Sequence, residues 1–289
     1  MALLSPSTLE SHPAGTLNIG GIINDNWGKI NKLFDPALSS GDPLYGLIAQ
    51  AIEGQGGGLT TYIQRVLGMS PVAYWPLNET SGTSFDDAST GTATGTSSGT
   101  VTVNSAQSII GSADKAPLFV AAANGYIAAS GAAPLAFTPN TTAWSVSAWV
   151  KVSTNADYTI VSKTGSGTNR NFQLSVSATA NQIDVHLGST VQAAAAPSLN
   201  NNLWHHVAVT SGGSVARVYY DGREVHSFTP GSTAENSVDW LIGARRTGGE
   251  NVNTGATAYL NGNIAHVALF AAQLTAAQVG RLSNGRETQ

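Results

Sequence analysis

The feature that most constrains this chain is a spacing: from residue 71 to the C-terminus, short apolar or alternating runs recur between clusters of Gly, Asn and Asp. Runs this short, with a period of two, mark strands lying on a pleated sheet rather than helices. In WSVSAWVKV (144–152), Val146, Ala148, Val150 and Val152 fall on one face, against Ser145, Ser147, Trp149 and Lys151 on the other. Further strands are predicted at 116–120, 125–129, 159–163, 172–177, 183–187, 202–210 and 215–225. The last folds back at Asp221-Gly222, a pair suited to the positive φ angles of a two-residue hairpin turn. An apolar strand opens the series in PVAYWPLNETSG (71–82), and a low-complexity Ser/Thr/Gly tract follows at 89–99. Within this region helix is predicted only near the end, where Thr275 and Gln278 form a capping box and Leu274 is placed to staple to Val279. The expected fold class is mainly β: an antiparallel two-sheet sandwich over 71–289.

At 289 residues the chain has room for one large β domain of roughly 200 residues and a smaller segment. Only 10% of residues are charged, where about 25% is usual, so surface polarity must come from hydroxyls and amides. With no cysteine, disulfides and thiolate metal sites are excluded. The net charge is -4, and no cationic cluster exceeds Arg245-Arg246, so a nucleic-acid partner is not expected. The most apolar stretch, 116–137, is broken by Asn124, Gly125, Gly131 and Pro134, so membrane insertion is not expected either. Residues 1–24 have neither a cationic n-region nor an apolar h-region and do not read as a signal peptide.

The N-terminal segment, 1–68, reads differently. Residues 1–17 carry two prolines and no period, as an extended arm would. Ile23, Trp27, Ile30 and Phe34 then follow at steps of four, three and four, a helical seam that Asp35-Pro36 stops. Gly28 inside this helix costs up to about 1 kcal/mol against Ala and suits a close approach. A second helix begins at Asp42-Pro43 with Leu44, Leu47, Ile48, Ala51 and Ile52 on one face, and a third pattern joins Leu59, Tyr62, Ile63, Val66 and Leu67. Helices this short are marginal alone in water, so these seams must dock, either on the chain's own β domain or in an assembly. In the assembly reading, Ile23, Trp27, Ile30 and Phe34 are the anchor. Alternating Ile with bulky aromatics crowds a two-stranded interface, so the expected homo-oligomer is a trimer.

The closing run YLNGNIAHVALFAAQLTAAQVGRL (259–282), with PVAYWPLNETSG, WSVSAWVKV, NLWHHVAVT (202–210) and VARVYYDGREV (215–225) in order, resembles the laminin-G-like jelly rolls of the concanavalin A-like lectin/glucanase superfamily. The resemblance implies a concanavalin A-like jelly roll, a fold that many binding and display modules use. HPAGTLNIGGIINDNWGKINKLFDPALSSGDPLYGLIAQAI (12–52) resembles N-terminal segments of tailed-phage virion proteins. A cysteine-free chain that reads as made in a cytoplasm but built for exposure fits a particle assembled inside a cell and released by lysis. The expected function is therefore that of a phage virion structural protein, a capsid decoration or a tail or fibre appendage, assembled with other virion proteins. The alternative is a module recognising host-surface glycans, and a weaker one is a glycan hydrolase.

Hydrolysis needs two carboxylates at a fixed separation across the glycosidic bond. No Glu-x-Asp or Glu-x-Glu occurs, and Asp86-Asp87 would point to opposite faces of a strand. GTSSG (95–99) matches a nucleophile elbow only formally, because no apolar strand or helix flanks it. His205-His206 belongs to the strand WHHVAV, where neighbours diverge. The chain is therefore not expected to be an enzyme. No cofactor is expected apart from Ca²⁺, for which the resemblance makes Glu79, Asp86 and Asp87 the candidate ligands. Where relatives commonly read Ile-Asp-Glu-Val, this chain has Ile264-Ala265-His266-Val267 and so lacks both acids. For sugar binding the aromatic platforms on offer are Trp149, Tyr219, Tyr220 and Trp240, each also a natural core residue of a β-sandwich.

Overall fold

The structure, a computed structural model, describes residues 62–107, 109, 114–129, 140–164, 170–188, 190–231, 238–246 and 256–284. The predicted arm and first two helices, with Ile23, Trp27, Ile30 and Phe34, lie outside the described residues.

The alternating runs form strands β1 (Ala73–Trp75), β2 (Ser84–Phe85), β3 (Gly95–Ser98), β4 (Val101–Gln107), β5 (Lys115–Phe119), β6 (Tyr126–Ala129), β7 (Trp144–Val152), β8 (Tyr158–Thr164) and β9 (Arg170–Val176). They continue as β10 (Gln182–Leu187), β11 (Thr190–Ala195), β12 (His205–Ser211), β13 (Ala216–Tyr220), β14 (Arg223–Phe228), β15 (Trp240–Ile242), β16 (Arg245–Arg246), β17 (Ala256–Thr257) and β18 (Gly262–Phe270). One sheet runs β14-β13-β12-β7-β18-β5-β4, with β1 pairing the second half of β18 through Ala73–Leu269 to Trp75–Val267. The other runs β11-β10-β9-β8-β15-β6-β3-β2, and β16 and β17 form a separate two-stranded pair. The pairings are antiparallel throughout, as a sandwich of hairpins and crossovers requires. The low-complexity tract is partly strand: GTSS is β3, held between β2 and β6.

Between the sheets, period two delivers one set of side chains from each strand into a single core. Val146, Ala148, Val150 and Val152 of β7 meet Phe172, Leu174 and Val176 of β9 and Ile183, Val185 and Leu187 of β10 in that core. Trp144 sits edge-on to Phe172 at 5.5 Å between ring centroids, and Phe172 lies 5.7 Å from Trp240. The Trp75 indole N–H, buried with them, donates to the Ala93 carbonyl at 2.6 Å.

The first sheet is dry on its second face as well. There a separate apolar cluster joins Trp149, Trp204, Tyr219, Ala265 and Ala268 of the sheet region to Tyr62 and Val66 of helix α1 (Tyr62–Leu67) and to Leu274, Val279 and Leu282 around helix α2 (Ala276–Ser283). The third N-terminal pattern is thus part of the packing of the β unit. Trp149 Nε1–H donates to Tyr62 Oη at 2.8 Å, and Arg65 of α1 donates to the carbonyls of Arg281 and Asn284 at the end of α2. That last contact places a cation on the negative end of a helix. The predicted capping box is present: Gln278 N–H donates to Thr275 Oγ1 at 3.2 Å, and Thr275 N–H donates to Gln278 Oε1 at 2.9 Å. Leu274 and Val279 are both buried, as a staple requires.

Two histidines are enclosed on this face. His206 Nε2 lies 2.9 Å from Ser147 Oγ. His266 occupies a bulge in β18 at φ 53°, with Nδ1 2.8 Å from Tyr74 Oη and its ring 4.5 Å from that of Tyr62. Burial pushes His206 down to about 4 and His266 down to about 3, so both stay neutral. An unfolded histidine titrates near 6.5, so below that pH the unfolded chain binds protons that the folded chain refuses. Stability is therefore full above about 6.5 and lost as the pH falls towards 3.

Two outcomes follow. Trp149→Ala empties the centre of the outer cluster and should cost about 3–5 kcal/mol in chemical denaturation; a cost below about 1 kcal/mol would show that α1 does not seal this face. Between pH 7 and pH 5 the unfolding free energy should fall by about 2 kcal/mol per enclosed histidine. His266→Asn, which tolerates positive φ, should flatten that slope; an unaltered pH profile would contradict the assignment.

Candidate functional site

The three carboxylates expected near a sheet rim do not share one role. Asp87 Oδ1 accepts from the backbone N–H of Tyr74 and of Ser89, each at 2.9 Å, and Oδ2 accepts from Ala93 N–H at 3.2 Å. It staples β1 to the loop that follows β2. The same loop borders a cleft of about 560 Å³ lined by residues that include Leu67, Pro71, Val72, Ser89 and Thr90. Glu79 Oε1 accepts from Asp86 N–H at 2.9 Å, and burial pushes the Glu79 carboxyl up. Ca²⁺ takes six to eight oxygens. With Asp87 spent on backbone donors, and no group of three His, Cys, Asp or Glu placed for a metal among the described residues, these three acids do not fit that ion.

The four aromatics are interior and are not brought together. Trp149 and Tyr219 lie in the cluster under α1 and α2, whereas Tyr220 and Trp240 lie between the sheets. Tyr220 Oη donates to the Pro197 carbonyl at 2.6 Å and sits 2.7 Å from His205 Nδ1. His205 also meets Asp221 at 2.8 Å and Asn201 at 3.1 Å, while His206 turns to the other side and into the outer cluster. The adjacent histidines diverge, and both are tied into the hairpin and sheet. Asp221 Oδ1 accepts from His206 N–H at 2.9 Å, which holds the turn at Asp221-Gly222 against β12.

A surface that sequence reading passed over is the outer face of the second sheet. Because Phe172, Leu174 and Val176 point into the core, Gln173 and Ser175 point away from it. The same alternation sends Asp184 and His186 of β10 outward, between Ile183, Val185 and Leu187. Register aligns these residues: His186 is opposite Gln173 and Gln173 opposite Ser162, while Asp184 is opposite Ser175 and Ser175 opposite Thr159. The result is a band of amide, hydroxyl, imidazole and carboxyl groups across β10, β9 and β8. Thr159, Ser162, Gln173 and Ser175 are fully enclosed (0% exposed), whereas Asp184 at one end is half-buried and adjoins exposed Ala193 and Ala195. Gln173 Nε2–H donates to Ser175 Oγ at 2.7 Å and Ser162 Oγ–H to the Ala244 carbonyl at 2.8 Å, but Gln173 Oε1 and Thr159 Oγ1 have no partner. Burial pushes the Asp184 carboxyl up, against a hydrogen bond from Ser177 that lowers it. Only the Asp184 end of the band reaches solvent, so that end alone is placed to meet a polar ligand. A second carboxylate, Asp157, itself paired with Arg245, lies close enough to push the Asp184 carboxyl up further. The signal was present in NFQLSVS and QIDVHL, where polar residues fill every second place.

Comparison with known proteins agrees with this architecture. The Laminin_G_3 family model, concanavalin A-like lectin/glucanases superfamily, matches residues 121–280, more than half of the chain. No curated protein sequence matches. Among solved structures, the receptor binding domain of botulinum neurotoxin mosaic serotype C/D aligns at 15% identity and a TM-score of 0.55, over 76% of this chain and 52% of that one. The binding domain of botulinum neurotoxin DC in complex with rat synaptotagmin II aligns at 15% identity and 0.53, over 76% and 52%. Botulinum neurotoxin serotype D binding domain gives 15% and 0.51, over 76% and 53%. The chain spans about half the length of these structures, and at such identity the likeness is one of fold. With the two antiparallel sheets, their shared core and the capped closing helix in place, the family match shows that this chain belongs to the concanavalin A-like lectin/glucanase superfamily, through a domain of the laminin-G-like kind.

Proposed function

We propose that this chain is a virion structural protein of a tailed phage, in which residues 1–61 anchor and oligomerise the protein and the sandwich is the displayed, non-catalytic part. The observation that carries this reading is the division of labour along the chain. The β unit satisfies its own apolar faces, including the one under α1, whereas the seam of Ile23, Trp27, Ile30 and Phe34 has the spacing of an interface. The resemblance of 12–52 to tailed-phage virion proteins supplies the particle. Imaging of purified particles with this chain labelled tests the placement and separates head from tail appendage.

Deletion of residues 1–61 should leave a folded protein with one third as many copies as the intact protein in native mass spectrometry. Extending the deletion to residue 68 removes the cover of Trp149 and should lower the unfolding midpoint sharply. Equal stoichiometry for the intact chain and the 62–289 chain would sink the assembly role.

A second reading, recognition of a host-surface glycan, is favoured by the polar band of the second sheet, in a fold shared with receptor-binding domains. The solvent-accessible approach is at Asp184, beside Ala193 and Ala195. On a glycan array the protein should retain a sugar that Asp184→Asn loses at least tenfold, with no turnover of any polysaccharide. Retention unchanged by that substitution would remove the band from the reading.

A further inference from the structure

We infer that β11 is a pairing strand for a second copy of this chain, joined antiparallel across a two-fold axis at Ala193. This is independent of the N-terminal anchor and of the glycan reading.

The argument begins with the edges of the two sheets. An open edge is a row of unpaired N–H and C=O groups, and folded proteins usually protect it with charge, irregularity or shortness. Apart from β1, a three-residue strand beside β18, the two sheets end on four strands, and three of these are protected in these ways. β14 carries Arg223 and Glu224 and pairs β13 through a register shift at Val218/Tyr219. β4 is broken by a register shift between Thr102 and Ala106, with Asn104 at φ 54°. β2 is two residues long. The fourth edge, β11, is six residues of TVQAAA without a charge, and it follows β10 in unbroken register from Leu187–Thr190 to Gln182–Ala195. Among the described residues β11 has a strand neighbour on one side only.

Which backbone groups face outward follows from the ladder. Ser177 N–H donates to the Gln182 carbonyl, so Gln182, Asp184 and His186 turn their backbone polar groups to β9. Ile183, Val185 and Leu187 turn theirs to β11, where their partners are Ala194, Gln192 and Thr190. Ala196 N–H donating to the Asn181 carbonyl continues the same alternation. Val191, Ala193 and Ala195 are left with N–H and C=O directed away from the sheet. A two-fold axis at Ala193 sets Ala193 against its own copy and Val191 against Ala195 of the copy, so every outward residue meets an outward residue and each facing pair exchanges two hydrogen bonds.

The side chains allow it. No β11 residue is charged, so self-pairing juxtaposes no like charges, and the small Ala193 and Ala195 clear the approach. The strand is also held in place, because His226 Nε2 of β14 lies 3.0 Å from Gln192 Oε1. The occupant that matches this edge in length, charge and direction is β11 itself.

The chain has no cysteine, so single substitutions report cleanly. Facing residues of a hydrogen-bonded antiparallel pair have Cα atoms about 5.5 Å apart, within disulfide range. Under mild oxidation of the full chain, Ala193→Cys should become a covalent dimer at least tenfold faster than Ala195→Cys, whose counterpart is Val191, or Ser227→Cys on β14. Ala193→Pro, which removes only an outward N–H, should halve the number of copies in native mass spectrometry, whatever state the N-terminal segment sets. Equal oxidation rates at the three positions, or an unchanged mass for Ala193→Pro, would overturn the inference.

Discussion

The arrangement rests on one constraint: the first sheet must be kept from water on both faces. Its inner face is closed by the second sheet, but its outer face carries Trp149, Trp204, Tyr219 and Phe270, too much apolar surface to leave wet. Two short helices close it. Neither is long enough to be stable alone, and each is held by what it covers: α1 through Tyr62 on Trp149, α2 through Leu274, Val279 and Leu282. The enclosed histidines are a cost of that closure, since a face built to exclude water also excludes protons.

The second sheet is built by the opposite rule. Its outer face is lined with amides and hydroxyls, and Gln173 Oε1 and Thr159 Oγ1 sit there enclosed and unpartnered. Buried polar groups of this kind are expensive unless something satisfies them, and of this band only the Asp184 end meets solvent, which is where the ligand reading is placed. Trp149, Tyr219, Tyr220 and Trp240, on offer either as sugar platforms or as core residues, are all interior.

Much of the fold was legible in the residues. β7 was delimited to the residue by its alternation, the turn at Asp221-Gly222 by its composition, and the start of α2 by its capping box and staple. What escaped did so for physical reasons. β11 is rich in alanine, a residue with little strand preference, and is a strand because β10 offers it a ladder. β3 is hidden in a Ser/Thr/Gly tract and is fixed by its neighbours β2 and β6. The alternation of β7 is real, and nothing local says that α1 will cover Trp149 on its second face. For the acids, composition revealed a cluster, but only tertiary placement shows Asp87 turned to three backbone donors.

The way the chain enters the sandwich has a mechanical consequence. After α1, the first strand to form is β1, which pairs with β18, and β18 in turn pairs with β7 near the middle of the first sheet. Tension applied through the N-terminal end must therefore pull out a side chain wedged against Trp149, part Arg65 from the last turn of α2 and then dislodge a strand that is paired to β18 and held in the core by Trp75. Here the load is shared by both ends of the chain at once, so the unit should give way abruptly and at high force rather than unravel.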